Sequence, residues 1–261
     1  MIDSGLHKER ISVTNNQEFK QVFPKNTNGS YIVYIEGSGK LDVEFVFEDN
    51  AKWHVLWINE SDQNLIIREK IYLNRDAMLN MNYAELSSGN HKKQTLIEMI
   101  GNGSHVHVKG AAMVFNELYW DLQAVHHARH TYAQLDNHAI VLKDTKFEIE
   151  VTGQIDKGYS QSETHQSTKV MNLGHKSDAI VFPKLLIDEN DVAASHAASV
   201  GRPNEEHIYY LTSRGIHKDD AMRLMLKGYL LPITEDIKDE TIKERLITEI
   251  ETKVDSQWKT K

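Results

Sequence analysis

Between residues 30 and 195 short apolar runs follow one another at roughly 8–12-residue intervals, the rhythm of an all-β chain. Tyr31-Ile32-Val33-Tyr34-Ile35 is β-branched and aromatic. Leu41, Val43, Phe45 and Phe47 alternate with Asp42, Glu44 and Val46, and Trp53, Val55 and Trp57 alternate again. Side chains alternate across a strand, so each run presents one apolar face. Further runs fall at Leu65–Ile67, Leu96–Ile100, Val106–Val108, Met113–Phe115, Ala139–Leu142, Phe147–Val151, Val170–Leu173, Ile180–Phe182 and Leu185–Ile187. Gly, Asn, Asp and Ser between them favour turns. No amphipathic helix of convincing length occurs in this stretch.

The texture changes near Gly201, where helical spacing begins. Pro203, Glu205 and Glu206 suit the start of a helix that carries Ile208, Tyr209, Leu211 and Thr212 on one face and stops at Gly215. A second helix is expected from about Lys218 to Lys227. Asp219 and Asp220 sit in its first turn, and Ala221, Leu224 and Met225 form its apolar stripe. Pro232 breaks the chain. A third helix, roughly Asp239 to Gln257, presents Ile242, Leu246, Ile250 and Val254 at spacing four. The expected organisation is an N-terminal segment (1–24), a β core (25–200) and a helical subdomain (201–261).

Many short strands followed by a helical tail fit a β-sandwich, a cupin-like jelly roll or a β-helix. A β-helix stacks turns of chain about 4.8 Å apart with inward apolar side chains in register. No strict hexapeptide or nonapeptide repeat is visible, so periodicity leaves the three open.

Composition narrows the function. The 30 Lys and Arg against 38 Asp and Glu give a net charge of −8, which offers no general attraction for nucleic acid. No window approaches the roughly 18 apolar residues of a membrane helix. The first residues, MIDSGLHKERISV, lack an apolar signal core. Cysteine is absent, which excludes disulfides, thiolate catalysis and any cluster held by this chain's own thiolates. The expected location is cytoplasmic.

Fourteen histidines raise the question of a metal. His105 and His107, two apart, share one strand face, and His126, His127, His130 and His138 follow closely, with His165 or His175 on a later strand. A jelly-roll metalloenzyme would need such imidazoles to converge with one open coordination position. Glu117, ten residues beyond His107, is too far for a cupin frame. The bland reading is polar, solvent-facing or turn-stacking histidine. Gly101-Asn102-Gly103 makes a turn and lacks the residues of a phosphate loop, no Gly-x-Ser-x-Gly elbow occurs, and Asp219-Asp220 reads as a solvated helix start. A carbohydrate-active β-helix would need carboxylates on successive turns, and no such set stands out.

The most specific stretch runs from Pro183 to Tyr229. Pro183, Leu185 and Ile187 form a strand; Asp191-Val192 and Ser195-His196-Ala197-Ala198-Ser199 follow; then come Glu205-Glu206 and Tyr209-Tyr210-Leu211-Thr212-Ser213-Arg214-Gly215. This ordered series resembles the SufB/SufD family of iron–sulfur cluster assembly scaffolds. A weaker echo reaches back through Gly153–Gly174, where Gln166-Ser167-Thr168-Lys169 and Leu173 look like the preceding turn.

The resemblance implies a right-handed parallel β-helix with a small C-terminal α-helical subdomain, acting as a non-enzymatic scaffold. Implied partners are a SufC-like ATPase, bound through the helices with Arg223, Lys227 and Tyr229 exposed, and a SufB-like chain or a second copy of this one, paired edge to edge. His196 matches a histidine that lies at the partner interface in the SufD branch and contacts the nascent cluster, so any iron or cluster would be held transiently and none stably. Thr168 or a neighbour stands where SufB-type members carry a cysteine, and Ala194 where SufD-type members often do. A thiol-free chain fits the SufD-like role. On physical grounds, Asp191 and Val192 would end a strand, Gly201 would release the chain, and Tyr209-Tyr210-Leu211 would dock the first helix on the open end of the β region. The alternative is the histidine metalloenzyme, with His105 and His107 as ligands.

Overall fold

A computed structural model describes residues 2–256 apart from His175, Asp236 and Lys238; the expected helix end at Gln257 and the candidate ligand His175 lie outside the described residues. Thirteen strands form one continuously hydrogen-bonded, all-parallel sheet wound into a solenoid of about 7 turns. They are β1 (Gly5–Phe23), β2 (Asn28–Phe47), β3 (Lys52–Asn59), β4 (Leu65–Leu73), β5 (Met78–Glu85), β6 (His91–Met99), β7 (His105–Val114), β8 (Glu117–His126), β9 (Tyr132–Val141), β10 (Lys146–Ile155), β11 (Ser162–Asn172), β12 (Asp178–Ile187) and β13 (Val192–Gly201). The parallel pairing removes the sandwich and jelly roll, whose strands run antiparallel. The fold is the parallel β-helix.

The first two turns are single long strands, β1 and β2, and each later turn contributes two strands, one to each flat face. The first half of β2 pairs with β3 and its second half with β4, after which odd strands stack on one face and even strands on the other. The chain advances 24 residues from Gly5 to its neighbour Gly29, 27 from Met78 to His105 and 31 from Tyr132 to Glu163. A drifting period of this kind hides from a search for strict repeats. Its punctuation is a column of left-handed corner residues: Asn26, Asn50, Asp76, Gly103, His130 and Gln161 all have φ between 55° and 73°. Each donates its backbone N–H to a carbonyl one turn on, among them Asn50 to Arg75 (2.8 Å), Asp76 to Asn102 (3.0 Å) and Gly103 to Arg129 (3.1 Å). Asn, Asp and Gly tolerate this geometry, which is why they recur at the corner.

The segment expected to stand apart, residues 1–24, contains the first turn: β1 pairs with β2 along its whole length. Inside the solenoid, Phe23 stacks on Phe47 with centroids 4.2 Å apart, and Trp53, Tyr31 and Phe45 pack around them. Midway along the interior this apolar filling gives way to charge. Lys93 lies 2.6 Å from Glu85 and 3.6 Å from Glu69, with its ammonium over the rings of Tyr83, Trp57 and Trp120. Burial lifts the Glu69 carboxyl above its usual range. Burial pushes Glu85 the same way, but the Lys93 charge and hydrogen bond outweigh it and hold Glu85 low.

The helices are α1 (Glu205–Ser213), α2 (Lys218–Leu230) and α3 (Glu240–Ser256), with a 3₁₀ turn at Leu231–Thr234. They do not cap the open end. They lie along the odd-numbered face, whose outward side chains Leu56, Ile58, Ala84, Ala111, Met113 and Ile140 join Leu226, Leu230, Ile233, Ile242, Leu246, Ile250 and Val254 in a second core. The spacing-four stripe of α3 is buried as expected. In α2 the buried set is Ala221, Leu226 and Leu230, whereas Leu224 is 53% exposed. The expected docking of Tyr209 and Tyr210 is overturned: they are 75% and 58% exposed, and α1 buries no residue. It packs chiefly on α2. Asn204 caps α1 by accepting from the Glu206 N–H at 2.8 Å, and Gly215 follows Arg214 with φ 87°.

Candidate functional site

The two ends of the solenoid differ in chemistry. In β1 the inward positions alternate in character: Ile11, Val13, Phe19 and Phe23 continue the apolar core, while His7, Glu9, Gln17 and Gln21, in register with Tyr31, Val33, Leu41 and Phe45, place polar groups among them. At the other end the terminal turn continues the inward apolar positions with Val181, Pro183, Leu185 and Ile187 of β12, in register with Ile149, Val151, Gly153 and Ile155. On β13 the inward positions are Ala194, His196, Ala198 and Val200, over Thr164, Gln166, Thr168 and Val170. Ile187 is 36% exposed and Val200 49%. Phe182 and Leu186, on the outward side of β12, are also exposed. Both terminal strands leave one edge of backbone N–H and C=O groups without a neighbouring strand.

His196 thus sits mid-strand on the free edge, exposed, at an inward position of the last turn. The strand opens at Val192 rather than ending there, and runs to Gly201. Beneath it the interior is polar: Ser162, Thr164, Gln166 and Thr168 are buried. Thr168 occupies a sealed inward position one turn below Ala198. On the outer surface of the same strands, His165 Nδ1 meets the Ser195 hydroxyl at 2.7 Å, and its other ring nitrogen lies 3.4 Å from Glu163.

The remaining histidines disperse. His105 and His107 share the outer face of β7, as their spacing implies, but His105 stacks toward Tyr132 while His107 pairs with Asp136 at 3.0 Å. His126 points inward and is fully buried, its Nδ1 2.6 Å from the Thr131 hydroxyl; burial, and then neighbouring His127, push its pKa down to about 4. His127 meets Glu98 at 2.5 Å, His130 is a corner residue, and His138 bonds the Tyr229 carbonyl at 2.8 Å. Among the described residues no three potential ligands gather, so the metal set drawn from His105 and His107 does not form.

The trio expected to be exposed on α2 is only half-exposed in all three members. Lys227 bonds Asp255 of α3 at 3.1 Å, and Tyr229 packs its ring on His138 with centroids 5.7 Å apart. Both hold the helices in place. Arg223 is half-buried and paired with Asp220. The surface that is open belongs to Tyr209, Tyr210 and Leu224, beside a cleft of about 670 Å³ between α1, α2 and the end of β11.

The family model described as "SUF system FeS cluster assembly, SufBD core domain" matches residues 13–229, from the first turn of the solenoid to the end of α2. The chain belongs to the SufB/SufD core family. It is 30% identical over 182 residues to the iron–sulfur cluster assembly protein SufD of Bacillus subtilis, covering 69% of this chain and 42% of that relative. It is 26% identical over 249 residues to an iron–sulfur cluster assembly SufBD family protein of Mycobacterium leprae, covering 85% of this chain and 61% of the relative. A shorter match, 36% over 78 residues, links it to SufD of Escherichia coli, covering 30% of this chain and 18% of that relative. The chain therefore spans less than two thirds of the length of each of these relatives. Among the described residues no helix is long and apolar enough to cross a membrane.

Proposed function

We propose that this chain is a scaffold component of SUF iron–sulfur cluster assembly, non-enzymatic and SufD-like, working in the cytoplasm. It pairs through its apolar solenoid end with a second solenoid, either a SufB-like chain or another copy of itself. The observation that carries this reading is the placement of His196 on the free edge strand of that end. There an imidazole lies within reach of a partner that supplies the thiolates this chain lacks. Neutral imidazole ligates iron, and the cluster is cargo shared across the interface. A SufC-like ATPase binds the helical flank, at Tyr209, Tyr210 and Leu224.

Size-exclusion chromatography with light scattering tests the reading, using the chain alone and mixed with the SufC-type ATPase and SufB-type protein of its source organism. Expected are a solenoid pair that Val200→Lys splits and an ATPase complex that Tyr209→Ser with Tyr210→Ser removes. Surface variants are preferable to deletion of residues 201–261, which would strip Leu56, Ile58 and Met113 of their cover. A chain that stays monomeric and ignores both partners overturns the proposal.

A further inference from the structure

At the open end, one turn below His196, two buried polar atoms lack any partner: Gln166 Oε1 and Thr164 Oγ1. Gln166 is 3% exposed and Thr164 0%. The Gln166 amide orientation is settled by its own bonding. Its Nε2 donates to the Lys184 carbonyl of β12 at 2.9 Å, and only an N–H can do that, so the orphan atom is the oxygen, an acceptor. The side chain thus spans the interior from β11 to β12. Room for it comes from Gly153 on β10, where a Cβ would lie 2.5 Å from Thr164 Oγ1 and 3.0 Å from Gln166 Nε2. Gln166 and His196 are direct register partners, which places their backbones about 4.8 Å apart with both side chains inward.

A buried acceptor held in place by its own amide nitrogen, one turn under an imidazole with no hydrogen bond of its own among those resolved, calls for a donor, and the imidazole carries one. We propose that Gln166 is a positioning residue for His196: the two are not bonded in this structure, and a turn of the exposed ring lets the amide oxygen accept the His196 N–H and so fixes which ring nitrogen faces the partner chain. An imidazole's free nitrogen is chosen by the hydrogen bond that the other nitrogen makes. The inference rests on the reading of His196 given above, and adds to it the group that orients the ring and the small residue that makes space for that group.

The test is ¹⁵N–¹H NMR of the full chain labelled at histidine, recorded above about pH 8, past the ordinary imidazole range. His196→Asn identifies the His196 signal by its loss. The expected result is a single His196 tautomer in the parent chain and a mixture of tautomers in Gln166→Leu, which has similar bulk and no acceptor. Gly153→Ala, which crowds the amide without touching β13, should loosen the tautomer as Gln166→Leu does, and covers the case in which the leucine variant fails to fold. An identical His196 tautomer in all three proteins overturns the inference. Loss of partner binding in the parent chain would count against the proposed function alone, because the tautomer is read on the isolated chain.

Discussion

The Lys93 ammonium lies 2.6 Å from the Glu85 carboxylate in the middle of the solenoid, with the lysine side chain wholly sealed from water and the glutamate nearly so. Glu69, 3.6 Å from the same ammonium, accepts from the Thr95 hydroxyl at 2.6 Å and the Tyr83 hydroxyl at 3.1 Å, while its second oxygen has no partner. Two carboxyls thus compete for one ammonium in a buried interior, where Lys93 holds the nearer carboxyl low and burial lifts the other.

Removing one member of this cluster strands the others. Lys93→Met should destabilise the fold by about 3–5 kcal/mol, because it leaves Glu85 as an uncompensated buried charge. The triple change Lys93→Met, Glu85→Leu, Glu69→Leu should recover most of that loss, since apolar replacements of similar volume are often neutral or better. Urea unfolding of the three proteins checks this. A single Lys93→Met as stable as the parent chain would refute the pairing.

Acid should weaken the fold through His126. Its folded pKa of about 4 lies below the unfolded value of about 6.5, so the unfolded chain binds the proton first. The stabilising contribution is complete above pH 6.5 and is lost as pH falls toward 4, amounting to about 3 kcal/mol at most. Burial lowers His91 and His138 as well, with the same sign. Thermal melting from pH 7.5 to 4.5 should show the fall, and His126→Phe should flatten it.

Corner residues report on backbone geometry alone where the side chain is exposed. His130 has φ 56° and is exposed. His130→Val should cost about 1–2 kcal/mol from the left-handed conformation, whereas His130→Asn should be neutral or slightly stabilising. Equal effects of the two in chemical denaturation would contradict the corner assignment.

The helical flank separates cover from contact surface. Leu246→Ala removes a fully buried side chain between α3 and the solenoid and should cost about 2–5 kcal/mol. Tyr209→Ala, on a helix that buries nothing, should stay within about 0.5 kcal/mol of the parent. Chemical denaturation of both variants, with ATPase binding measured alongside, tells structural residues from partner-facing ones.

The family resemblance, not the period, points to the β-helix, and the corner roles of Asn26, Asn50 and Asp76 emerge from the structure. The strands could be read along the chain because they are local: alternation at Leu41–Phe47 and Trp53–Trp57 depends on side-chain direction within one strand. The stripe Ile242–Val254 and the cap at Arg214-Gly215 are likewise properties of single helices, and the ordered motif around Ser195-His196 marked the family. What only the tertiary structure decided depends on the next turn or the opposite face. Lys93, Glu69 and Glu85 do not stand out in the sequence, and only the solenoid brings β4, β5 and β6 together around them. Tyr209 and Tyr210 read as core aromatics, yet they stay in water, because α2 and α3 had already covered the odd-numbered face. Lys227 and Tyr229 read as free surface and are spent holding α2 to its neighbours. Gln166 stands in the sequence only within the weaker echo of the family; the register alone sets it beneath His196, thirty positions away along the chain. Local preference is written in neighbouring residues, whereas burial and partnership are set by how an irregular period of 24 to 32 residues stacks one turn upon the next.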